Sequence, residues 1–313
     1  MATAASTRTE GTGPPLATPT IARRARARRT GGARSPLVQA LSRTLRNPMG
    51  LFGAAVVGIL VFAALAAPII SPYDPIAQHP GLELRPPGGQ FIFGTDHLGR
   101  DLLSRIIFGS RSSLLIGMVA VGLGAALGIA SGLAAGYLGG WVDTVLMRFY
   151  DALLSFPAIL LGIGVVSVLG SGPLSVAYAL AFATVPTFAR LMRSRVLTER
   201  EREYVVAARC IGARAGRIMW RHVLPNAVAP LLIQISLSMG FAVLAESALT
   251  FLGLGTQPPM PSWGGMLNES RAYLRTAPWF GIFSGLALAL LLLGLNCLSD
   301  ALRDALDPRR SNA

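Results

Sequence analysis

The sequence contains no lysine: all 28 basic residues in its 313 are arginine. That absence excludes a phosphate-binding P-loop, whose lysine contacts nucleotide phosphates. If ATP powers this protein, another chain binds the ATP. Cysteine is equally scarce, with only Cys210 and Cys297, far apart and without CxxC or zinc-type spacing. The three histidines, His79, His97 and His222, are scattered likewise, so ligand spacing gives no metal site. Charge itself is in short supply. Charged residues make up 14% of the chain and hydrophobic residues 52%, with a mean hydropathy of +0.53. A soluble protein carries nearly twice that share of charge.

The apolar residues gather in runs of about 20, the length needed to cross a bilayer core. The chain therefore reads as an all-α, multi-pass membrane protein. Its net charge of +13 lies beside these runs, where basic residues fix topology rather than bind nucleic acid. An intramembrane enzyme would need a nucleophile with its base, or metal ligands, inside the spans, and no HExxH, GxSxG or carboxylate pair is found there. A stand-alone ion-coupled carrier would place ionisable groups at mid-membrane, and the spans are nearly devoid of them.

Six spans are expected, over about 49–70, 112–139, 152–170, 173–190, 227–252 and 279–299. The run at 49–70 is too long, and its leader far too long, for a cleaved signal peptide, although "ALA" at 64–66 resembles a cleavage site. Residues 1–47 hold nine arginines against one glutamate and show no apolar periodicity, so they read as a disordered basic tail suited to anionic lipid. The segment 190–221 holds nine arginines against three acids, whereas 71–111 balances four against four. Placing both basic segments in the cytoplasm requires an even number of crossings between them, and four spans supply it. Both termini are then cytoplasmic, in the inner (plasma) membrane, with loops 71–111 and 253–278 facing outward. The division is a tail over 1–47, a transmembrane domain over 48–308 and a short cytoplasmic end over 309–313.

Gly124, Gly128, Gly132 and Gly136 recur every fourth residue, which lines them up on one face of the second span. In lipid such a strip lets another helix approach closely. Tight packing within the subunit is favoured over a direct substrate role. Glu246, near the outer end of the fifth span, is either a substrate-path residue or a carboxylate that caps or pairs locally. Asp151 is expected to pair with Arg148 or a neighbouring loop. Asp96, Arg100 and Asp101 form a charge network in the first outer loop, or else meet an external partner.

The segment 203–226, "EYVVAARCIGARAGRIMWRHVLPN", interrupts the apolar runs with four arginines. Thr198 and Glu201 have capping-box spacing, so a helix is expected to start at 199. It is amphipathic and ends or bends at Gly212. A second helical piece follows, and Pro225 then occupies the first turn of the next span. Charge explains an anchor at the lipid surface. It does not explain the small residues Ala207 and Ala208 before Gly212, nor Leu224-Pro225.

Here the segment resembles the cytoplasmic EAA loop of ABC importer permeases, E-A-A-x3-G-x9-I-x-L-P. Val206, Ala207, Ala208, Gly212, Leu224 and Pro225 match its spacing, while Val206 stands at the Glu position and His222 at the Ile position. The stretches "FGTDHLGRDLLSRIIFGSRSSL" (93–114), "GYLGGWVDTVLMRFYDALLSFP" (136–157) and "AESALTFLGLGTQPPMPSWGGML" (245–267) resemble the dipeptide/oligopeptide subfamily, specifically its C-type subunit. The likeness covers roughly 45–308.

The resemblance implies a type I ABC importer permease fold and a translocation subunit rather than an enzyme. It implies a second, homologous permease subunit, two ATPase subunits that carry ATP and Mg, and an extracytoplasmic peptide-binding protein. The loop at about 198–225 would hold the coupling helix. Glu203, Tyr204, Val206, Ala207, Ala208, Gly212, Ala213, Arg217, Leu224 and Pro225 would meet the ATPase. The substrates implied are dipeptides or oligopeptides, with nickel chelates or glutathione as the alternative in the same subfamily.

Overall fold

The computed structural model describes residues 42–306. The tail expected over 1–47 therefore lies mostly outside the described residues, as does the end beyond 306. Within that range the chain is helical. Residues 42–46 already form a helical turn, so the expected tail is structured at its end. Asn47 then caps α1, Pro48–Ile70, by accepting from the Met49 N–H at 3.0 Å.

Helix α2 covers Leu102–Leu138 and starts ten residues before the expected 112. The apolar run alone hides this start. Asp101 is the cap, accepting from the Ser104 N–H at 2.8 Å, and Ser104, Arg105, Ser110 and Arg111 interrupt the apolar residues of the first turns, which are largely buried. The span expected over 152–170 is in fact broken. Helix α3 (Gly140–Leu154) and helix α4 (Ala158–Leu169) meet at a 96° bend. Pro157 explains the break, because it has no N–H to donate back into α3 and disfavours a helical residue before it.

A Gly-Ser-Gly turn leads to α5, Pro173–Glu199, with Pro173 at its first position. Helix α6 is Glu203–Cys210. Then α7 (Ala215–Ile218), a π turn (Met219–Val223) and α8 (Leu224–Phe251) follow without interruption. The expected separation of a second short helix from the next span is thus corrected. The widened π turn lets Leu224 donate to the Met219 carbonyl and admits Pro225, which has no N–H, inside one continuous helix. The short α9 (Trp263–Ser270) precedes α10, Pro278–Leu306. Among the described residues, five helices are long and apolar enough to cross a membrane, or six if the bent α3–α4 pair counts as one span.

Among the described residues the most extensive packing is α2 against α5, and the glycine strip is its seam. A Cβ on Gly128 would lie 2.6 Å from both the Val185 carbonyl oxygen and Phe188 Cβ, and one on Gly136 would lie 2.8 Å from Val196 Cβ. Gly124 and Gly132 meet Thr184 and Ala189 in the same way. Without side chains on one partner, the two backbones come close enough for dispersion contacts to hold them in the absence of a hydrophobic drive. Gly128→Leu is expected to force the helices apart, at roughly 1–3 kcal/mol or more for overpacking against backbone. Thermal unfolding of the purified variant in detergent should show a clear drop in Tm.

Candidate functional site

Two sets of side chains stand out from the bundle, at opposite ends of α8. The first is the segment from Glu199 to Asn226. Helix α6 begins after Arg202, and the capping box expected at Thr198 and Glu201 does not form. The Thr198 hydroxyl donates instead to the Ser194 carbonyl at 3.1 Å, the back-bonding typical of a threonine inside a helix, and α5 runs on to Glu199. Glu203 sits in the first turn of α6, where a negative charge suits the helix dipole.

The stop is set by Gly212. Its φ of +79° lies in the left-handed region that glycine adopts without penalty. The Gly212 N–H donates to the Arg209 carbonyl at 2.9 Å and the Ala213 N–H to the Ala208 carbonyl at 3.0 Å. These two bonds are a Schellman motif. Space around Gly212 is open, so the requirement there is for backbone conformation and not for small volume.

Burial divides the segment by face. Val205, Ala208, Ile218 and Val223 are buried and join the core of the bundle. Ala213 and Leu224 are half-buried against the same core. Glu203, Tyr204, Val206, Ala207, Arg217 and Pro225 are exposed. The small side chain of Ala208 therefore makes room for this chain's own packing, and only Ala207 leaves space on the outer side. Ile211, which the sequence pattern did not single out, is 85% exposed at the tip beside Gly212, and Trp220 is 62% exposed. Ile211 stands on a short polar element, whereas Trp220 lies in the π turn that leads into α8.

The segment is tied down by polar contacts. Arg200 donates to the Gly136 carbonyl at 3.2 Å, and the Arg209 guanidinium lies 5.4 Å from the centre of the Tyr137 ring. The Tyr204 hydroxyl donates to Glu199 Oε2 at 2.6 Å and accepts from Asn226 Nδ2 at 3.1 Å. Partial desolvation, and then the hydrogen bond to the Glu199 carboxylate, hold the Tyr204 phenol above its ordinary range although its ring is exposed. Glu199, Glu201, Arg202, Glu203, Tyr204 and Asn226 line a groove of about 650 Å3 beside α6. Nearby, Asp151 pairs with Arg190 on α5 and not with Arg148. Asp143 accepts from Arg193 at 2.6 Å, fixing α3 to α5 twice.

The second set joins the loop before α2 to α9. Asp96 accepts from Arg100 Nε at 2.6 Å and lies 3.3 Å from Arg105 Nε. Glu269 takes the outer nitrogens of the same two arginines, at 3.0 and 3.2 Å. Asp96, Arg100, Asp101 and Arg105 are all essentially inaccessible. The charge network is thus a buried strut between two segments about 170 residues apart. In this conformation none of its three buried members, Asp96, Arg100 and Arg105, is presented to an external partner. Asp101, expected in the same network, instead bonds Ser104 as the cap of α2. Sequence reasoning missed Glu269 and Arg105. The one clue was that Glu269 is the only acid in 253–278.

Asp96, His97 and Glu269 bring three possible metal-ligand atoms within 4.8 Å of one another. Both carboxylates are already neutralised by arginine, whose fixed charges oppose a cation there. Glu246 is wholly buried and is bonded by the hydroxyls of Thr250 (2.9 Å), Ser113 (3.0 Å) and Ser247 (3.3 Å). It pins α8 to α2 and faces no open path.

A bundle of membrane-length helices, with an exposed glycine-stopped helix in the connection between two of them, is the build of a multi-pass membrane protein. Proteins similar in sequence fall in that class. The chain belongs to the family described as binding-protein-dependent transport system inner membrane component, which its residues 92–312 match. Residues 35–87 match the N-terminal TM domain of oligopeptide transport permease C, so the likeness begins ten residues earlier than the sequence blocks suggest. A dipeptide transport system permease protein DppC from Alkalihalophilus pseudofirmus is 41% identical over 275 residues, 88% of this chain and 90% of the relative. A di/tripeptide transport system permease protein DppC from Pseudomonas aeruginosa is 44% identical over 285 residues, covering 89% and 94%. A glutathione transport system permease protein GsiD from Escherichia coli is 43% identical over 277 residues, covering 88% and 91%.

Proposed function

We propose that this chain is one of two translocation subunits of an ATP-driven importer for dipeptides and short oligopeptides. The observation that carries the reading is the exposed helix Glu203–Cys210 with its Gly212 stop, in a chain 41–44% identical to di- and tripeptide permeases. With the termini and the 190–221 arginines in the cytoplasm, α6 presents Val206, Ala207 and Ile211 to a cytoplasmic ATPase subunit. ATP and Mg are held by that partner, since this chain has no lysine for a P-loop. A binding protein delivers substrate at the opposite end, to loops braced by the Asp96–Arg100–Arg105–Glu269 strut. ATP binding stabilises one global state over the other, and the spans rock between inward- and outward-open arrangements.

The likeness to a glutathione permease favours glutathione, itself a modified tripeptide, as the second reading. Purification of the intact complex tests both. Cys210 is exposed on α6 and Cys297 is buried, so a thiol cross-linker at Cys210 should capture an ATP-hydrolysing subunit. Hydrolysis should rise on adding dipeptide-loaded binding protein. Stimulation by glutathione alone would select the second reading, and a complex with no ATPase subunit would overturn both.

A further inference from the structure

The docking helix is joined to both neighbouring spans through a single side chain. Glu199 is the last residue of α5, Tyr204 lies in the first turn of α6, and Asn226 lies in the first turn of α8. The phenol donates to Glu199 at 2.6 Å and accepts from Asn226 at 3.1 Å, using both its donor and an acceptor position. The ends of the chain of bonds are themselves fixed. The second hydrogen of the Asn226 amide goes to the His222 carbonyl at 2.7 Å, and Arg202 lies 3.8 Å from the other oxygen of Glu199. Val205, the next residue of α6, is fully buried in the core beneath. The bond to Glu199 is charge-assisted, which makes it about twice as strong as a neutral one. Both bonds are reached by solvent, so their effect comes from joining three elements at one side chain and not from strength alone.

We propose that Tyr204 is a positioning residue for transport: it ties the docking helix to α5 and α8 together, so that displacement of α6 reaches both spans at once. This rests on the reading of α6 as the ATPase-docking helix and goes beyond it. The resemblance counts Tyr204 among the residues that would meet the ATPase, but its hydroxyl is taken up by Glu199 and Asn226 of this chain, so it serves the transmission of movement and not the docking contact itself. Loss of the pin leaves α6 seated in its partner while the spans follow incompletely, so hydrolysis continues and transport does not keep pace.

The test is Tyr204→Phe in the full complex reconstituted into vesicles with its binding protein. The ring stays and both hydrogen bonds go. Uptake is expected to fall about tenfold, the scale of a lost hydrogen bond to a carboxylate. The ATPase subunit should co-purify as in the wild type, with stimulated hydrolysis kept within about twofold, so substrate moved per ATP drops. Glu199→Gln combined with Tyr204→Phe should be little worse than Tyr204→Phe alone, as for residues acting through one bond. Wild-type uptake per ATP in Tyr204→Phe overturns the proposal while leaving the docking reading intact. A parallel loss of bound ATPase, hydrolysis and uptake also overturns it, making Tyr204 a plain docking contact. A wild-type complex without an ATPase subunit overturns the docking reading and this proposal together.

Discussion

Gly212→Val is expected to reach the membrane at the wild-type level and to support essentially no uptake. The residue sits at φ +79°, and a Cβ placed on it would meet nothing within 4 Å, so the substitution causes no clash and the fold of the bundle is untouched. Its effect is on the backbone. A left-handed conformation costs a non-glycine residue roughly 1–2 kcal/mol, and a β-branched one more. Relief comes by unwinding the Schellman motif and letting α6 continue or fray. Either response re-aims Val206, Ala207 and Ile211 and detaches the outer face from its fixed inner face of Val205 and Ala208. Uptake of radiolabelled peptide into cells, set against the amount of inserted protein, is the measurement. Gly212→Asn, which tolerates the left-handed region better, should retain a clear part of the activity. Normal uptake by the valine variant with its ATPase still bound would sink the assignment of this segment.

The second large effect is expected at the opposite end of the molecule. Asp96→Ala should cost about 3–5 kcal/mol, the range for removing one partner of a buried ion pair. Asp96 is fully buried and faces both Arg100 and Arg105. Its loss leaves two buried guanidinium groups sharing Glu269, and also strips the Leu98 and Arg100 N–H groups of their acceptor. The variant should be scarce in the membrane and should unfold at a markedly lower temperature after purification. Asp96→Asn, which keeps an acceptor but not the charge, should fall between it and the wild type. A stable, abundant alanine variant would show that the strut contributes little.

What the sequence made legible follows the physics of each signal. Membrane spans are announced by long apolar runs, and the four-residue glycine period at 124–136 pointed to a packing seam that the structure places against α5. Gly212 was visible because left-handed helix stops select glycine. The break at Pro157 was hidden, since residues 152–170 are apolar on both sides of it and hydropathy carries no direction. The extension of α2 back to Asp101 was hidden for the opposite reason, because Ser104, Arg105, Ser110 and Arg111 interrupt the apolar residues of its first turns. The Thr198 cap failed because spacing alone cannot tell a threonine that starts a helix from one bonded back inside it. Pairings were least legible. Arg190 with Asp151, and Arg100 with Glu269, join residues that no local pattern relates. The contact between Tyr204 and Asn226 depends on the continuous path through the π turn.

That continuity has a mechanical side. From Ala215 to Phe251 the chain is one helical rod of 37 residues, about 55 Å long at 1.5 Å per residue. Asn226 lies about 17 Å from one end and Glu246, locked to Ser113 of α2, about 8 Å from the other. A rod held in this way behaves as a lever. A tilt of about 5° around its middle carries each tip through roughly 2–3 Å, comparable to the small helix shifts that packed interfaces amplify into a switch. Where the fulcrum lies is then a matter of which side chains along α8 grip their neighbours hardest, and the hydroxyl cage around Glu246 is one such grip.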